Sequence, residues 1–319
     1  MLQLPLTLLS PSGPRGRLTI LIFHRVLPQP DPLLAGNPDA VRFEAQMRWV
    51  QDWFKVLPLS AATDALFAGR LPARALSITF DDGYADNEEV AGPILHRLGL
   101  TATFFISTGY LDGRCMWNDR VIEAIRMCRA DALDLSRIGL GDIALASTQD
   151  RQRAIDSVLP RIKHLEPDER ADAVDAIVSA AGGDQPRSLM MRPEQVKRLR
   201  NLGMEIGAHT VTHPILTRLG RRAAEEEIGT SKDYLQGLLG ERVAMFAYPN
   251  GAPGQDYDQV HVEMVRRCGF SSAVSTAWGA ASARSDRYQL PRFTPWDRTR
   301  LRYGARLLWN MRSRRTAVA

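Results

Sequence analysis

Two short stretches carry residue types able to activate water or hold a cation: Asp81-Asp82-Gly83 and His209-Thr-Val-Thr-His213. Adjacent carboxylates repel one another unless a cation or hydrogen-bond donors compensate. A cation on one carboxylate and a proton-accepting role for the other would resolve that conflict. Asp-Asp-Gly-Tyr is equally good turn chemistry, so the pair alone leaves both readings open. His209 and His213 lie four positions apart. One helical turn would set them on the same side, with Cβ atoms about 5–6 Å apart. Two imidazoles and one carboxylate make a facial set that leaves positions open for water and substrate. Such openness marks catalytic metal centres, whereas structural zinc sites are closed.

These groups need elements to position them, and strand-like runs precede them. Leu18–Phe23 reads as a buried strand delivering His24, and Leu76–Phe80 as a strand running into Asp81. Met204–Ala208 ends at His209, and Val243–Ala247 ends at Tyr248-Pro249-Asn250-Gly251. Helical spacing appears between them, over 41–54, 87–98, 193–202, 223–239 and 260–268, with further strands at 102–107 and 272–275. Alternation of this kind predicts an α/β fold with a mainly parallel sheet. Polar residues at four strand ends then gather at the C-terminal edge, where such folds keep their active sites. A barrel would bring all four to one mouth. Residues 115–191 read as a helical, charged insertion, placed within a barrel spanning 18–297 between an N-terminal extension (1–17) and a basic C-terminal segment (298–319).

Composition sets the remaining bounds. A hydrophobic fraction of 45% and a charged fraction of 24% over 319 residues describe an ordinary globular chain. Cys115, Cys128 and Cys268 are odd in number and lack C-x-x-C spacing, which argues against a disulfide framework or a cysteine zinc site. The first residues make a poor signal peptide, and no apolar run is long enough to span a bilayer. These features predict a cytoplasmic protein. Seven arginines lie between Arg298 and Arg315, interleaved with Leu301, Leu307, Leu308, Trp309 and Met311. As a helix this segment would suit peripheral contact with an anionic membrane, or would pack on the barrel with a solvated basic side. No nucleic-acid-binding motif accompanies the positive charge.

Taken together, Thr79-Phe-Asp-Asp-Gly83, His209-Thr-x-x-His213 and Phe246-Ala-Tyr-Pro-Asn-Gly251 resemble the polysaccharide deacetylases of the NodB-homology, carbohydrate esterase family 4-like type. The resemblance covers about residues 18 to 295, with the helical segment after Gly113 as an extra. It implies a deformed (β/α) barrel and metal-dependent removal of N-acetyl groups from an amino-sugar saccharide, free or lipid-linked, in envelope or exopolysaccharide synthesis. By this likeness Asp81 is the general base, and Asp82, His209 and His213 ligate one divalent ion. Zinc is the default for that set, with iron, cobalt, nickel and manganese also suited. Tyr248 and Asn250 belong to the stretch that would hold the oxyanion, Tyr248 through its backbone N–H.

Two departures from the family pattern matter. Ala247 stands where many members carry an arginine that orients the catalytic aspartate, and Arg292 of Leu290-Pro-Arg-Phe293 stands where they place a late histidine. A guanidinium cannot serve as a general acid. The branch resembling poly-N-acetylglucosamine deacetylases shares that absence and has an early segment like Phe23-His-Arg-Val26, so His24 is the candidate acid, or else a satisfied histidine. Arg292 would pair either with Asp81 or with a surface partner. Trp117, Trp278 and Trp296 are candidate platforms for pyranose rings. Other small-amide hydrolysis, such as deformylation, or a non-catalytic carbohydrate-binding role on the same barrel, are the competing readings.

Overall fold

Alternating apolar side chains along short strands let one sheet pack on both faces. The computed structural model describes residues 2–183, 188–312 and 317–319. In chain order its elements are α1 (Gln3–Leu9), β1 (Thr19–Phe23), α2 (Ala40–Trp53), β2 (Lys55–Val56), α3 (Leu59–Phe67), β3 (Ala75–Phe80), α4 (Gly92–Arg97) and β4 (Thr103–Ile106). Then follow α5 (Trp117–Met127), β5 (Ala132–Asp134), β6 (Asp142–Ala144), α6 (Thr148–Lys163) and α7 (Pro167–Ala180). The chain ends with α8 (Pro193–Asn201), β7 (Glu205–Ala208), α9 (Arg221–Leu239), β8 (Met245–Ala247), α10 (Gln259–Arg267), β9 (Ser272–Val274) and α11 (Arg300–Arg312).

Two compact units result. The first contains 36–112 and 191–319 together with the start of the chain up to Gln29. It holds a seven-stranded sheet in the order β1-β3-β4-β7-β8-β9, with β2 also on β3 and every pairing parallel. The sheet curls into a deformed (β/α) barrel. One face, with Ile20, Phe105, Met245, Ala247 and Val274, packs with Leu59, Ala62 and Leu66 of α3. The other, with Leu21, Ile78, Phe104 and Ile206, lies in the larger core under α2, α4, α8, α9 and α10. In register with Phe105 is Gly207, where a Cβ would lie 2.5 Å from the phenyl ring. Glycine there lets that ring lie across the neighbouring strand.

An extended segment closes the gap between β9 and β1. Leu290 bonds back to Ala273 and Ser275, while the Phe293 N–H donates to Ile20 O and the Thr294 hydroxyl bonds to both backbone groups of Ile22. Pro291 has no N–H to give, which suits a position at this seam. At the sheet's C-terminal edge, Phe23, Phe80 and Phe104 lie in register across β1, β3 and β4. Their rings stack at 5.4 and 4.6 Å between centroids. Each such pair contributes about 0.5–1.5 kcal/mol beyond burial, and together they fix the height at which His24 and Asp81 leave the sheet.

The second unit comprises 30–35 and 113–190. Val121, Ile125, Ile155, Val158, Val174 and Ile177 from α5, α6 and α7 form its own core. Besides the helices expected of this insertion, β5 and β6 form an antiparallel hairpin, and residues 30–35 join from far upstream. Three other segments are defined more closely. The helix from Asn87 opens with π-helical hydrogen bonding through Ala91 before α4. The N-terminal extension contains α1, whose Leu6 is buried in one core with Tyr303, Leu307 and Met311 of α11. The basic C-terminal segment packs as α11, while its arginines at 314 and 315 lie outside the described residues. Among the described residues no helix is long and apolar enough to cross a membrane.

Candidate active site

Strands β3 and β7 lie on either side of β4, so their ends deliver Asp81-Asp82 and His209 to one region. His209 and His213 Nε2 atoms stand 3.4 and 3.3 Å from the same Asp82 oxygen, Oδ1. The three ligand atoms lie within 4.8 Å of one another. The helical turn expected over 209–213 does not form: Thr210 and His213 adopt left-handed φ values of 64° and 55°. The imidazoles share a side because this turn reverses the chain, with the Thr210 hydroxyl accepting the His213 N–H at 3.1 Å. Asp82 and Asn250 are also left-handed, at 77° and 58°, so four of the five such non-glycine residues described lie in the sequence motifs singled out for chemistry. Backbone strain of this kind concentrates where surrounding structure over-determines it.

Do these residues fit a cation? Asp82 Oδ1 and His209 Nε2 are buried without a hydrogen-bond partner. His209 Nδ1 lies 2.8 Å from the Ala247 carbonyl, which can only accept, so Nδ1 carries the proton and Nε2 presents its lone pair. Ligands about 2.1 Å from zinc at tetrahedral angles are about 3.4 Å apart, which matches the two imidazole–Asp82 separations. Burial holds His213 neutral, with its pKa pushed down to about 4. Burial also works against charge on Asp82, but His213, His209 and His24 outweigh it and keep the carboxyl well below the usual range. For His209 the burial effect is overcome by Asp81 and Asp82, which raise its pKa. A proton and a divalent ion would therefore compete for the same orphaned atoms.

Asp81 belongs to the same cluster, 4.0 Å from His209 Nε2. Of the two partners open to Arg292, the buried one is realised. Its Nη1 and Nη2 donate to the two Asp81 oxygens at 2.6 and 2.7 Å, its Nε donates to Ser275 O at 2.9 Å, and Nη1 also donates to Thr79 Oγ1. Both residues are almost fully buried, Arg292 at 1% exposure and Asp81 at 2%. Burial would raise the Asp81 pKa; Arg292, with His209 and His24, reverses that and lowers it. The cation absent at Ala247 thus arrives from the segment that closes the barrel.

His24 is exposed, close enough for its charge to act on Asp81, Asp82 and His213, and lines a cavity of about 210 Å³ with Arg42, Gln46, Thr294 and Trp296. Asn87 Nδ2 donates to its carbonyl at 2.8 Å, and the buried Asp86 binds both Arg25 and the Val26 N–H. The Asp86 and Asn87 brace was not visible beforehand; in sequence it reads only as the start of a helix. Trp278 and Trp296 are about half exposed, with centroids 5.8 Å apart.

Three other expected residues already have partners of their own. The Tyr248 ring is buried and stacked on Tyr257 at 3.8 Å, and its N–H, the expected oxyanion donor, already donates to Val274 O at 3.2 Å. Asn250 turns the chain after β8, with its carbonyl held by the Thr276 hydroxyl. Trp117 belongs to the second unit, where it packs on that core beneath the Arg170 guanidinium.

Comparisons with known proteins identify the family and the fold. A family model described as polysaccharide deacetylase matches residues 68–273. YxkH of Bacillus subtilis (strain 168), whose name assigns it provisionally to the polysaccharide deacetylases, is 22% identical over 282 residues, covering 87% of this chain and 71% of its own. The structure of Streptococcus pyogenes deacetylase PplD, in complex with acetate, superposes with a TM-score of 0.61 at 21% identity, covering 93% of this chain and 99% of PplD. IcaB from Ammonifex degensii gives 0.59 at 18% identity, covering 93% and 98%. At these identities the superpositions establish the fold alone. The family model spans well over half of the chain and includes Asp81, Asp82, His209 and His213, and the chain belongs to the polysaccharide deacetylase family.

Proposed function

We propose that this protein is a metal-dependent N-deacetylase that removes acetyl groups from an amino-sugar-containing saccharide. The observation that carries the reading is the convergence of Asp82, His209 and His213 on one point, with an ionised Asp81 beside it. A divalent ion held by those three, zinc by default, would polarise the acetamide carbonyl and acidify water. Asp81, fixed by the two-pronged grip of Arg292, accepts the proton of the attacking water. His24, at the edge of the adjoining cavity, supplies a proton to the departing amine. Trp278 and Trp296 offer apolar faces on which pyranose rings stack. An oxyanion donor at Tyr248 would have to exchange its bond to Val274 O.

The structural likeness to PplD, a deacetylase in complex with acetate, supports deacetylation as the reaction class. The test is acetate release from a panel of N-acetylated saccharides, measured together with metal content, for the wild type and Asp82→Ala. Acetate released by protein without metal contradicts the mechanism. Metal without acetate across the panel favours a different amide or a binding role.

The outward side of α11 adds a proposal about location. Leu301 and Trp309 are 80% and 62% exposed, and residues 298–319 carry seven arginines and no acid, leaving 34 basic against 36 acidic residues in the rest of the chain. That chemistry suits an anionic lipid surface, where a lipid-linked saccharide would be met.

A further inference from the structure

The turn that presents His209 and His213 has no ladder of its own and is held from two directions. On one side stands Glu227 of α9. One of its carboxylate oxygens accepts the N–H groups of Val211 and Thr212, both at 2.8 Å, and the other accepts the Thr212 hydroxyl at 2.7 Å. On the other side the chain leaving β4 donates into the turn. The Thr108 N–H reaches Thr210 O at 3.1 Å, the Gly109 N–H reaches Val211 O at 2.8 Å, and the Ser107 and Tyr110 hydroxyls reach His209 O and Thr212 O at 3.0 and 3.1 Å. All four carbonyls from 209 to 212 are thus occupied from outside the turn. Two left-handed residues in five are costly for the backbone, and they persist only because these bonds over-determine them.

We propose that Glu227 is a positioning residue for the metal centre: it fixes the separation of the two imidazoles and thereby sets the affinity of the centre for a divalent ion. The proposal rests on the reading that these side chains ligate a cation. Hydrogen bonds to a carboxylate are stronger than those between neutral groups, so Glu227 supplies the stiffest part of the clamp. Partners that orient ligands change metal affinity by about 10–100-fold when lost. Gly109 provides an independent handle from the opposite side. A Cβ there would lie 2.7 Å from Val211 O, and φ at Gly109 is not in the left-handed region, so alanine fits its own backbone and pushes the turn.

The experiment measures zinc affinity by competition with a chromophoric chelator, on the full chain stripped of metal. Wild type, Glu227→Ala, Glu227→Gln, Gly109→Ala and the ligand-loss control His213→Ala are compared, with thermal unfolding of each metal-free protein. Glu227→Ala and Gly109→Ala should each weaken zinc binding by about 10–100-fold. Glu227→Gln should recover most of that loss, because its amide oxygen still accepts two N–H groups while the Thr212 hydroxyl turns to accept from the amide nitrogen. A Glu227→Ala protein that melts earlier but binds zinc as tightly as wild type overturns the proposal, since the clamp is then structural only. Glutamine as weak as alanine also overturns it, because a through-space effect of the charge, and not the bonds that shape the turn, would be responsible. A wild type that binds zinc no better than His213→Ala instead removes the metal centre itself.

Discussion

Replacing Arg292 by methionine removes the cation from a pair sealed inside the barrel and leaves Asp81 charged, buried and facing methylenes. Breaking a buried pair from one side costs about 3–5 kcal/mol, whereas replacing both partners by neutral groups is often close to neutral. Against a typical total of about 5–15 kcal/mol this is a large but survivable loss. Arg292 also gives one bond to Ser275 O and shares Thr79 Oγ1, so the upper part of that range is expected. Urea unfolding of metal-free wild type, Arg292→Met, Asp81→Asn and the double variant closes a thermodynamic cycle. The double variant should be at least about 2 kcal/mol more stable than the sum of the singles predicts, while changes that add within about 0.5 kcal/mol refute the pairing. The pH dependence has a definite sign. The folded pKa of Asp81 is depressed, so the pair's contribution is full above the ordinary carboxylate value of about 4 and is lost as pH falls through the folded value. In Arg292→Met, burial loses its main opponent and the carboxyl takes up its proton at higher pH. The stability gap between the two proteins should therefore narrow as pH falls; a constant gap contradicts the mechanism.

His24→Ala should retain metal content while turnover falls by about 10²–10⁴-fold, the usual contribution of a proton-transfer group; unchanged turnover removes His24 from the chemistry. Asp86 is raised by burial despite its bond to Arg25, so its native form holds a proton over a window where the unfolded chain does not, and wild-type stability should rise as pH drops through that window. Asp86→Asn should lack that rise, which paired melting curves between pH 4 and 8 will detect. Leu301→Ser with Trp309→Ser should abolish sedimentation with vesicles rich in phosphatidylglycerol without changing acetate release from a soluble substrate. Equal sedimentation of both proteins ends the membrane proposal.

Much of the site was legible because it rests on period and position: runs such as Leu-Ser-Ile-Thr-Phe deliver Asp81 whatever the later packing does. What escaped depends on dihedrals or distant partners. His-x-x-x-His allows a helical turn, and only the coordinates show that left-handed Thr210 and His213 achieve the same meeting differently. Arg292 and Asp81 are 211 positions apart, so a sequence can pose that pairing and cannot choose it. Glu227 stands beside Glu225 and Glu226, and nothing in the sequence sets it apart from them. Residues 30–35 carry no mark that ties them to a unit starting at 113.

The strip from Leu290 to Thr294 covers both open margins of the sheet and also carries the guanidinium that keeps Asp81 ionised. Proteolysis there, or a change that loosens the strip, would uncover two strand edges prone to intermolecular pairing and deprive the proposed base of its cation in the same event. Damaged molecules would then be inert and sticky together, with little room for a population that is well folded but catalytically silent through this route.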